Sequence, residues 1–320
     1  MAAVGARLAA GLALIGLAAV PPFLPKYGLE VLIGILFFAY LGTCWNILGG
    51  YGGQFSFGHA AFFGLGAYTS TLLLLRLGLT PWLGMLVGGA VAAGFGLFEG
   101  YLSFRYGLRG PYFSLVTLAF AEMLRVVAVN LKAVGSSLGL VVPSGSSVVA
   151  FEFAAKLPYY YVILAMTLLA LAITRLIARS RMGYALAAIR ENEDAAEASG
   201  VNALATKLTA MAVSSFLTAL GGTFYAQYFA YIDPSLTFGP SISIQGLLPA
   251  IVGGAGTVLG PLLGAFVLTP ISELTRAVLR GRAGADVMLY GVILILVISF
   301  LPNGLMGLRR SRRPAAERAT

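Results

Sequence analysis

Arg181–Asn202 reads RMGYALAAIRENEDAAEASGVN, the one long polar run in an otherwise apolar chain. Arg190, Glu191, Glu193, Asp194 and Glu197 fall there within eight consecutive positions, although charged residues make up only 10% of the 320. Apolar runs at about 159–177 and 207–229 flank it, each near the length that crosses a bilayer. The stretch therefore reads as a water-facing loop helix between two spans, and the chain as an all-α polytopic membrane protein. Its helical part is about sixteen residues, with Ser180 placed to cap its start and Gly200 to end it. Tyr184, Leu186 and Ile189 give it an apolar edge. Glu193 and Glu197 form an i, i+4 like-charge pair that costs an isolated helix a few tenths of a kcal/mol. From spacing alone, a solvated loop helix and a docking helix are equally supported.

Composition agrees with this class. The chain is 59% hydrophobic with a mean hydropathy of +0.89 and contains 41 glycines, as expected where membrane helices approach through small side chains. Its formal charge of +9 sits at the ends of apolar runs and in the tail Arg309, Arg310, Arg312, Arg313, where it orients helices. That placement speaks against nucleic acid as a partner. The single cysteine, Cys44, and single histidine, His59, exclude a disulfide framework and argue against a protein-built metal site. None of the four lysines follows the glycine spacing of a phosphate-binding loop. No cofactor is expected, and no nucleophile–base set points to an enzyme.

Ten apolar segments lie at about 8–24, 28–48, 57–75, 82–102, 112–129, 159–177, 207–229, 241–258, 261–279 and 286–301. Several fall short of a full span, so tilted, broken or re-entrant elements are expected among them. The first, following Arg7 and containing Pro21 and Pro22, reads as a span or anchor rather than a cleaved leader. The whole chain, 1–320, reads as one transmembrane domain with a polar loop helix at 181–202 and a basic tail at 303–320. With both termini cytoplasmic, thirteen of the twenty-one basic residues fall inside, among them Arg105, Arg109, Arg175, Arg179, Arg181, Arg190 and Lys207. Arg276, Arg280 and Arg282 then cluster outside, against the trend; either 241–258 does not cross or this loop is an exception. The outer loop 130–158 is rich in Ser and Gly, with room for a short strand. The other, 230–240, carries the turn signals Asp233-Pro234 and Gly239-Pro240.

Four polar residues at membrane depth are candidates for a pathway. Gln54, Ser56 and His59 lie in a glycine-dense stretch where non-helical backbone at membrane depth can line a path. For His59 the hydrogen-bonded core residue is the favoured reading. Glu122 lies inside the fifth apolar segment, where a charge is costly, and Arg125 one turn on can neutralise it. Glu273 and Arg276 repeat the pattern, Glu99 is placed to reach Arg105 at a membrane end, and Asn46 and Gln245 are expected to bond neighbouring helices.

The polar loop resembles the cytoplasmic loop of ABC-importer permeases centred on Glu-Ala-Ala followed by Gly; here the core is Ala196-Glu197-Ala198-Ser199-Gly200, with Ser199 in place of the second alanine. Gly49-Gly50-Tyr51-Gly52-Gly53-Gln54-Phe55-Ser56-Phe57-Gly58-His59, Gly107-Leu108-Arg109-Gly110-Pro111-Tyr112-Phe113-Ser114, Gly253-Gly254-Ala255-Gly256-Thr257 and Pro302-Asn303-Gly304-Leu305 match as well. Together they are similar to permease subunits of branched-chain amino-acid importers, the longer of the two permease types, over almost the whole chain. The resemblance implies a multi-pass bacterial inner-membrane protein that works with a second permease, two cytoplasmic ATPases and a periplasmic binding protein. It also implies that Arg190, Glu193, Asp194, Glu197 and Gly200 form the ATPase-coupling element, with hydrolysis on the partner chains. One departure is Val134-Gly135-Ser136-Ser137-Leu138-Gly139-Leu140, where members commonly carry Thr-Gly-Gly ahead of Gly-Leu. Permeases for urea and short-chain amides are closely similar, so they form one alternative. An ion-coupled secondary transporter is the other, disfavoured by the scarcity of unpaired ionisable groups in the spans. A homodimeric assembly also stays open.

Overall fold

The computed structural model describes residues 17, 19–143, 151–278, 291, 292, 295 and 304–311. Twelve helices carry the argument. Helix α1, Lys26–Asn46, continues through a wider turn at Ile47–Tyr51; α2 is His59–Leu77, α3 Pro81–Arg105, α4 Pro111–Asn130 and α5 Lys156–Arg179. Then come α6, Arg181–Glu191; α7, Glu193–Ala198; α8, Ala203–Phe229; and α9, Pro234–Thr237. Last are α10, Pro240–Gly253; α11, Gly260–Val278; and α12, Gly304–Ser311. Local chemistry sets their ends. Proline at the first helical position starts α3, α4, α9 and α10, where its missing N–H costs nothing. Gly78, at φ +63°, closes α2, and Asn202 Oδ1 accepts from Ala205 N–H at 2.9 Å to open α8.

Among the described residues seven helical segments are long and apolar enough to cross a bilayer: α1 with its wide turn, α2, α3, α4, α5, α8, and α9–α10 together. They match seven of the ten expected segments. The eighth is met by α11, and the outermost two fall mainly outside the described residues. The 241–258 segment is met by a helical stretch, Pro234–Gly253, long and apolar enough to cross, which begins earlier and ends at Gly253. The following α11 runs back so that Glu273 lies at the end of the bundle that bears Lys156. Arg280, Arg282 and the basic tail beyond Ser311 lie outside the described residues, as do Ser144, Ser146 and Ser147. In the outer loop the short strand is present: β1, Leu140–Val141, pairs antiparallel with β2, Tyr231–Ile232. The 230–240 loop is more ordered than turns alone, since Asp233 Oδ1 caps α9 through the N–H groups of Ser235 and Leu236.

Two packed groups share α1 and α8 as their core. Helices α2, α3 and α8 form the tighter one, while α1 gathers α5, α10 and α11 around it. Small residues permit the first. A Cβ at Gly66 would lie 2.1 Å from the carbonyl oxygen of Ala219, and one at Gly222 would lie 2.0 Å from that of Phe63. Without a hydrophobic drive between helices in lipid, such backbone approach is what holds them. Polar bonds add to it: Thr223 Oγ1 donates to Gly66 O, and Tyr40 Oη donates to Leu217 O.

Glu99 departs from expectation. It does not reach toward Arg105 at a membrane end; its side chain is fully buried, and neither carboxylate oxygen has a partner among the described residues. The reason is geometric. Its turn of α3 faces the α2–α4 packing, where Gly58 leaves room for the carboxyl, rather than the solvent edge that snorkelling requires. Glu122 and Arg125 do pair on α4, with Arg125 Nε donating to Glu122 Oε2 at 2.9 Å on a half-exposed surface.

Candidate coupling surface

The polar run is not one helix. Asn192 is extended at φ −159°, ψ 109°, and divides it into α6 and α7. Asparagine favours helix starts over helix interiors because its side chain competes for backbone donors. Here its Oδ1 accepts from Ala195 N–H at 3.1 Å and opens α7. Ser180 occupies the position before α6 without capping it: its hydroxyl turns back to donate to Ile177 O. Gly200, at φ +88°, ends α7 in the left-handed conformation that glycine adopts without strain. Ile189 and Ala196 are buried beneath the two helices in a small cluster closed by Ala203, while Leu186 packs into the main core.

Three basic residues fix this unit from behind. Lys207, at the foot of α8 and almost wholly buried, pairs with Glu193 at 2.5 Å and lies 4.7 Å from the Phe104 ring centroid. Arg109, in the short turn between α3 and α4, reaches the other oxygen of Glu193 at 3.4 Å and Asp194 at 2.9 Å. Glu193 is thus clamped by two cations from two elements, so the like-charge cost expected from Glu197 never arises. The Asp194 bond raises the Arg109 pKa, with Glu193 adding to it. The same bond holds the Asp194 carboxyl below its usual range. The Asp194 bond therefore forms fully above the ordinary carboxylate pKa and is lost only as pH falls through the depressed value. Near neutrality it stands.

Arg190 fixes the α6 half. Its Nη1 donates to Gly50 O at 3.0 Å, and its stem lies where a Cβ on Gly53 would sit, 2.7 Å from Cγ. A Cβ on Gly256 would lie 2.6 Å from Nη1. Both glycines have positive φ, +67° and +76°. The glycine-rich stretches at 49–58 and 253–265 thus meet in space around one guanidinium. Asn46 ties them again, accepting from Gly256 N–H at 2.8 Å and donating to Thr257 O at 2.9 Å. It bonds a loop rather than a neighbouring helix. A Cβ on Gly304, at the start of α12, would lie 2.5 Å from Gly254 N, so that closing turn rests on the same surface. Arg109, Lys207, Asn46, Gly53 and Gly256 are thus the parts of the site that the polar run alone does not reveal.

What remains outside is a continuous exposed strip: Tyr184, Ala188 and Glu191 on α6, then Asp194, Ala195, Glu197 and Ala198 on α7. Glu197 points outward and forms no ion pair among the described residues. An anionic strip on a unit held by one buried and two more exposed ion pairs is a surface that a basic partner can contact.

The candidate pathway residues lie elsewhere. His59 is buried at the start of α2, with Nε2 2.9 Å from Ser214 Oγ and Nδ1 3.3 Å from Ser56 Oγ. Ser214 donates its single hydroxyl proton to Cys44 O, so His59 Nε2 carries the proton and donates, while Nδ1 accepts. Ser56 also accepts from Gly58 N–H, and its carbonyl accepts from Trp45 Nε1 at 2.8 Å. Gln54 bonds Gly52 O beside it. Every polar atom of the His59 ring is satisfied, as a core residue requires. His59→Ala is expected to lower the melting temperature by the equivalent of about 1–3 kcal/mol and to leave transport per folded molecule unchanged. Lost transport at an unchanged folded amount would assign His59 to the pathway. Among the described residues no group of three or more potential metal ligands occurs.

Comparison with known proteins adds the family context. The family model described as the branched-chain amino acid transport system permease component matches residues 4–298. The high-affinity branched-chain amino acid transport system permease protein LivM of Escherichia coli is 27% identical, covering 93% of this chain and 74% of that protein. A probable LivM of Methanocaldococcus jannaschii is 24% identical, over 62% of this chain and 61% of its own. The permease LivH of Salmonella typhimurium is 28% identical over 46% of this chain and 45% of its own. No solved structure matches.

Proposed function

The chain belongs to the branched-chain amino acid transport permease family, and from that membership we propose that it is one permease of an ATP-driven importer for leucine, isoleucine and valine. It would take substrate from a periplasmic binding protein, pass it across the bacterial inner membrane and draw energy from two cytoplasmic ATPase subunits. The two relatives carry two permease names, LivM and LivH, which favours a second, related permease as partner over a homodimer. The face bearing Arg109, Arg190 and Lys207 is the cytoplasmic one on this reading, in keeping with the placement of basic residues.

The observation that carries the proposal is the braced α6–α7 unit. Arg190 and Glu193 act inward, locking it to the glycine-rich loops and α8, while Asp194 bonds Arg109 of the α3–α4 turn from the exposed strip. Glu197 acts outward as the contact for an ATPase, and Gly200 sets the exit angle of the chain. Hydrolysis belongs to the partner. The test is co-expression with the second permease, ATPases and binding protein, then reconstitution in liposomes loaded with ATP. Accumulation of labelled leucine that requires both ATP and the binding protein is the expected result. Accumulation of urea or a short-chain amide alone would move the substrate to the related importers.

Glu99 favours a second reading, because a carboxyl buried in an apolar helix with no partner among the described residues is a feature of ion-coupled carriers. Uptake by the purified chain alone, driven by a proton or sodium gradient and lost in Glu99→Gln, would select it. Dependence on ATP and the partner subunits would reject it.

A further inference from the structure

On the face opposite the α6–α7 unit, a cleft of about 640 Å³ opens among α1, α8, α10 and α11, with Lys156 of α5 at its mouth. That volume falls within the roughly 300–1,000 Å³ typical of small-molecule sites. Its wall is aromatic. Phe37 stacks on Phe224 with ring centroids 6.1 Å apart, Phe224 stacks on Tyr228 at 5.9 Å, and Tyr225 lies 6.1 Å from Phe37. Its mouth is charged, with Lys156 Nζ 2.5 Å from Glu30 Oε1 and 6.0 Å from the Tyr228 ring centroid. None of Gln54, Ser56, His59 and Glu122 lines it.

The chemistry of this cleft is that of an α-amino acid seen from the other side. An ammonium and a carboxylate held side by side are the complement of a zwitterionic head, Lys156 facing the carboxylate and Glu30 the ammonium. Both are about half exposed, so their mutual bond is weak and readily exchanged. Beneath them an aromatic wall offers apolar surface to a branched tail. Resting on the proposed importer function, we infer that this cleft is the chain's half of the substrate's first station after release from the binding protein, with the Lys156–Glu30 pair reading the head and the partly exposed rings of Tyr225 and Tyr228, backed by Phe37 and Phe224, the tail. The station is selective for small zwitterions with apolar side chains and holds them loosely, because an importer fed by a binding protein must let go.

Ser241, an exposed residue on the lining, gives the test. In the complete reconstituted complex, Ser241→Cys is labelled from the outer solution with a negatively charged thiosulfonate; Cys44 is buried, and Cys44→Ser controls for it. Leucine is expected to slow labelling severalfold and urea not at all. The labelled complex is expected to lose leucine uptake while binding-protein-stimulated ATP turnover continues. Adding Lys156→Gln is expected to weaken protection by leucine severalfold. A complex that imports leucine while leucine leaves the labelling rate unchanged overturns the cleft and leaves the importer reading intact. A complex that fails to import leucine before any labelling overturns the importer reading, and the inference with it.

Discussion

Glu197→Lys is expected to abolish ATP-dependent uptake while leaving the permease inserted, folded and present in normal amount. The argument rests on the contrast between where this carboxylate is and what it touches. It lies on the exposed side of α7, beside Ala198, and forms no ion pair among the described residues. Exposed substitutions away from special features usually change stability by only about 0.5 kcal/mol or less. Here the new cation also moves nearer Arg109, a small unfavourable term screened by water. The fold therefore has little to lose. A docking partner does, because placing like charges together across an interface costs several kcal/mol, equivalent to a loss of roughly 100-fold or more in affinity. Uptake of labelled leucine and co-purification of the ATPase should fall together. Normal uptake by a well-inserted Glu197→Lys complex would remove α7 from the coupling role.

Much of the fold could be read from hydropathy and glycine, because the bilayer leaves the backbone few options. Seven apolar stretches became helices of spanning length, and the polar run at 181–202 stayed at one end of the bundle. Its internal break could not be read in advance. Asn192 is tolerable within a helix by propensity, and only the competing bond to Ala195 N–H shows which conformation wins. Charge placement was legible where it obeyed lipid, as in Glu122 with Arg125, and misleading where packing overrode it. Glu99 lies near a membrane end in sequence, but helix phase turns it inward. Sequence periodicity over a uniformly apolar helix does not report that phase, since no polar face marks the outside.

The candidate coupling surface was half legible for a similar reason. The anionic residues stand together in sequence, so the strip announced itself. Its supports Gly50, Arg109 and Gly256 are separated from it by long stretches of chain, and Lys207, though near in sequence, lies on the next helix, so only tertiary packing brings them together. The glycine-rich stretches 49–58 and 253–265 show this most clearly. Their likeness is explained by a shared duty: each supplies a backbone bare enough to lie against Arg190.

Lys207→Ala carries the largest expected effect on structure. Its side chain is 3% exposed and that of Glu193 14%, so the pair is withdrawn from water and the partner left behind would be a buried carboxylate. Breaking such a pair typically costs about 3–5 kcal/mol. Arg109 offsets part of this, since its Nε still reaches Glu193, but from the exposed side, where a pair is weak. The loss should be local. Helix α7 would detach from the foot of α8, the α6–α7 unit would lose one of its anchors, and uptake would fail although the spans remain packed. The double variant Lys207→Ala with Glu193→Ala removes the stranded charge along with its partner and should recover part of the lost stability, because residues in direct contact are not additive. Protease nicking within 192–202 reports the detachment, and thermal unfolding reports the stability. If the double variant is destabilised by the sum of the two single ones, Lys207 and Glu193 act independently, and the clamp behind the coupling surface does not exist.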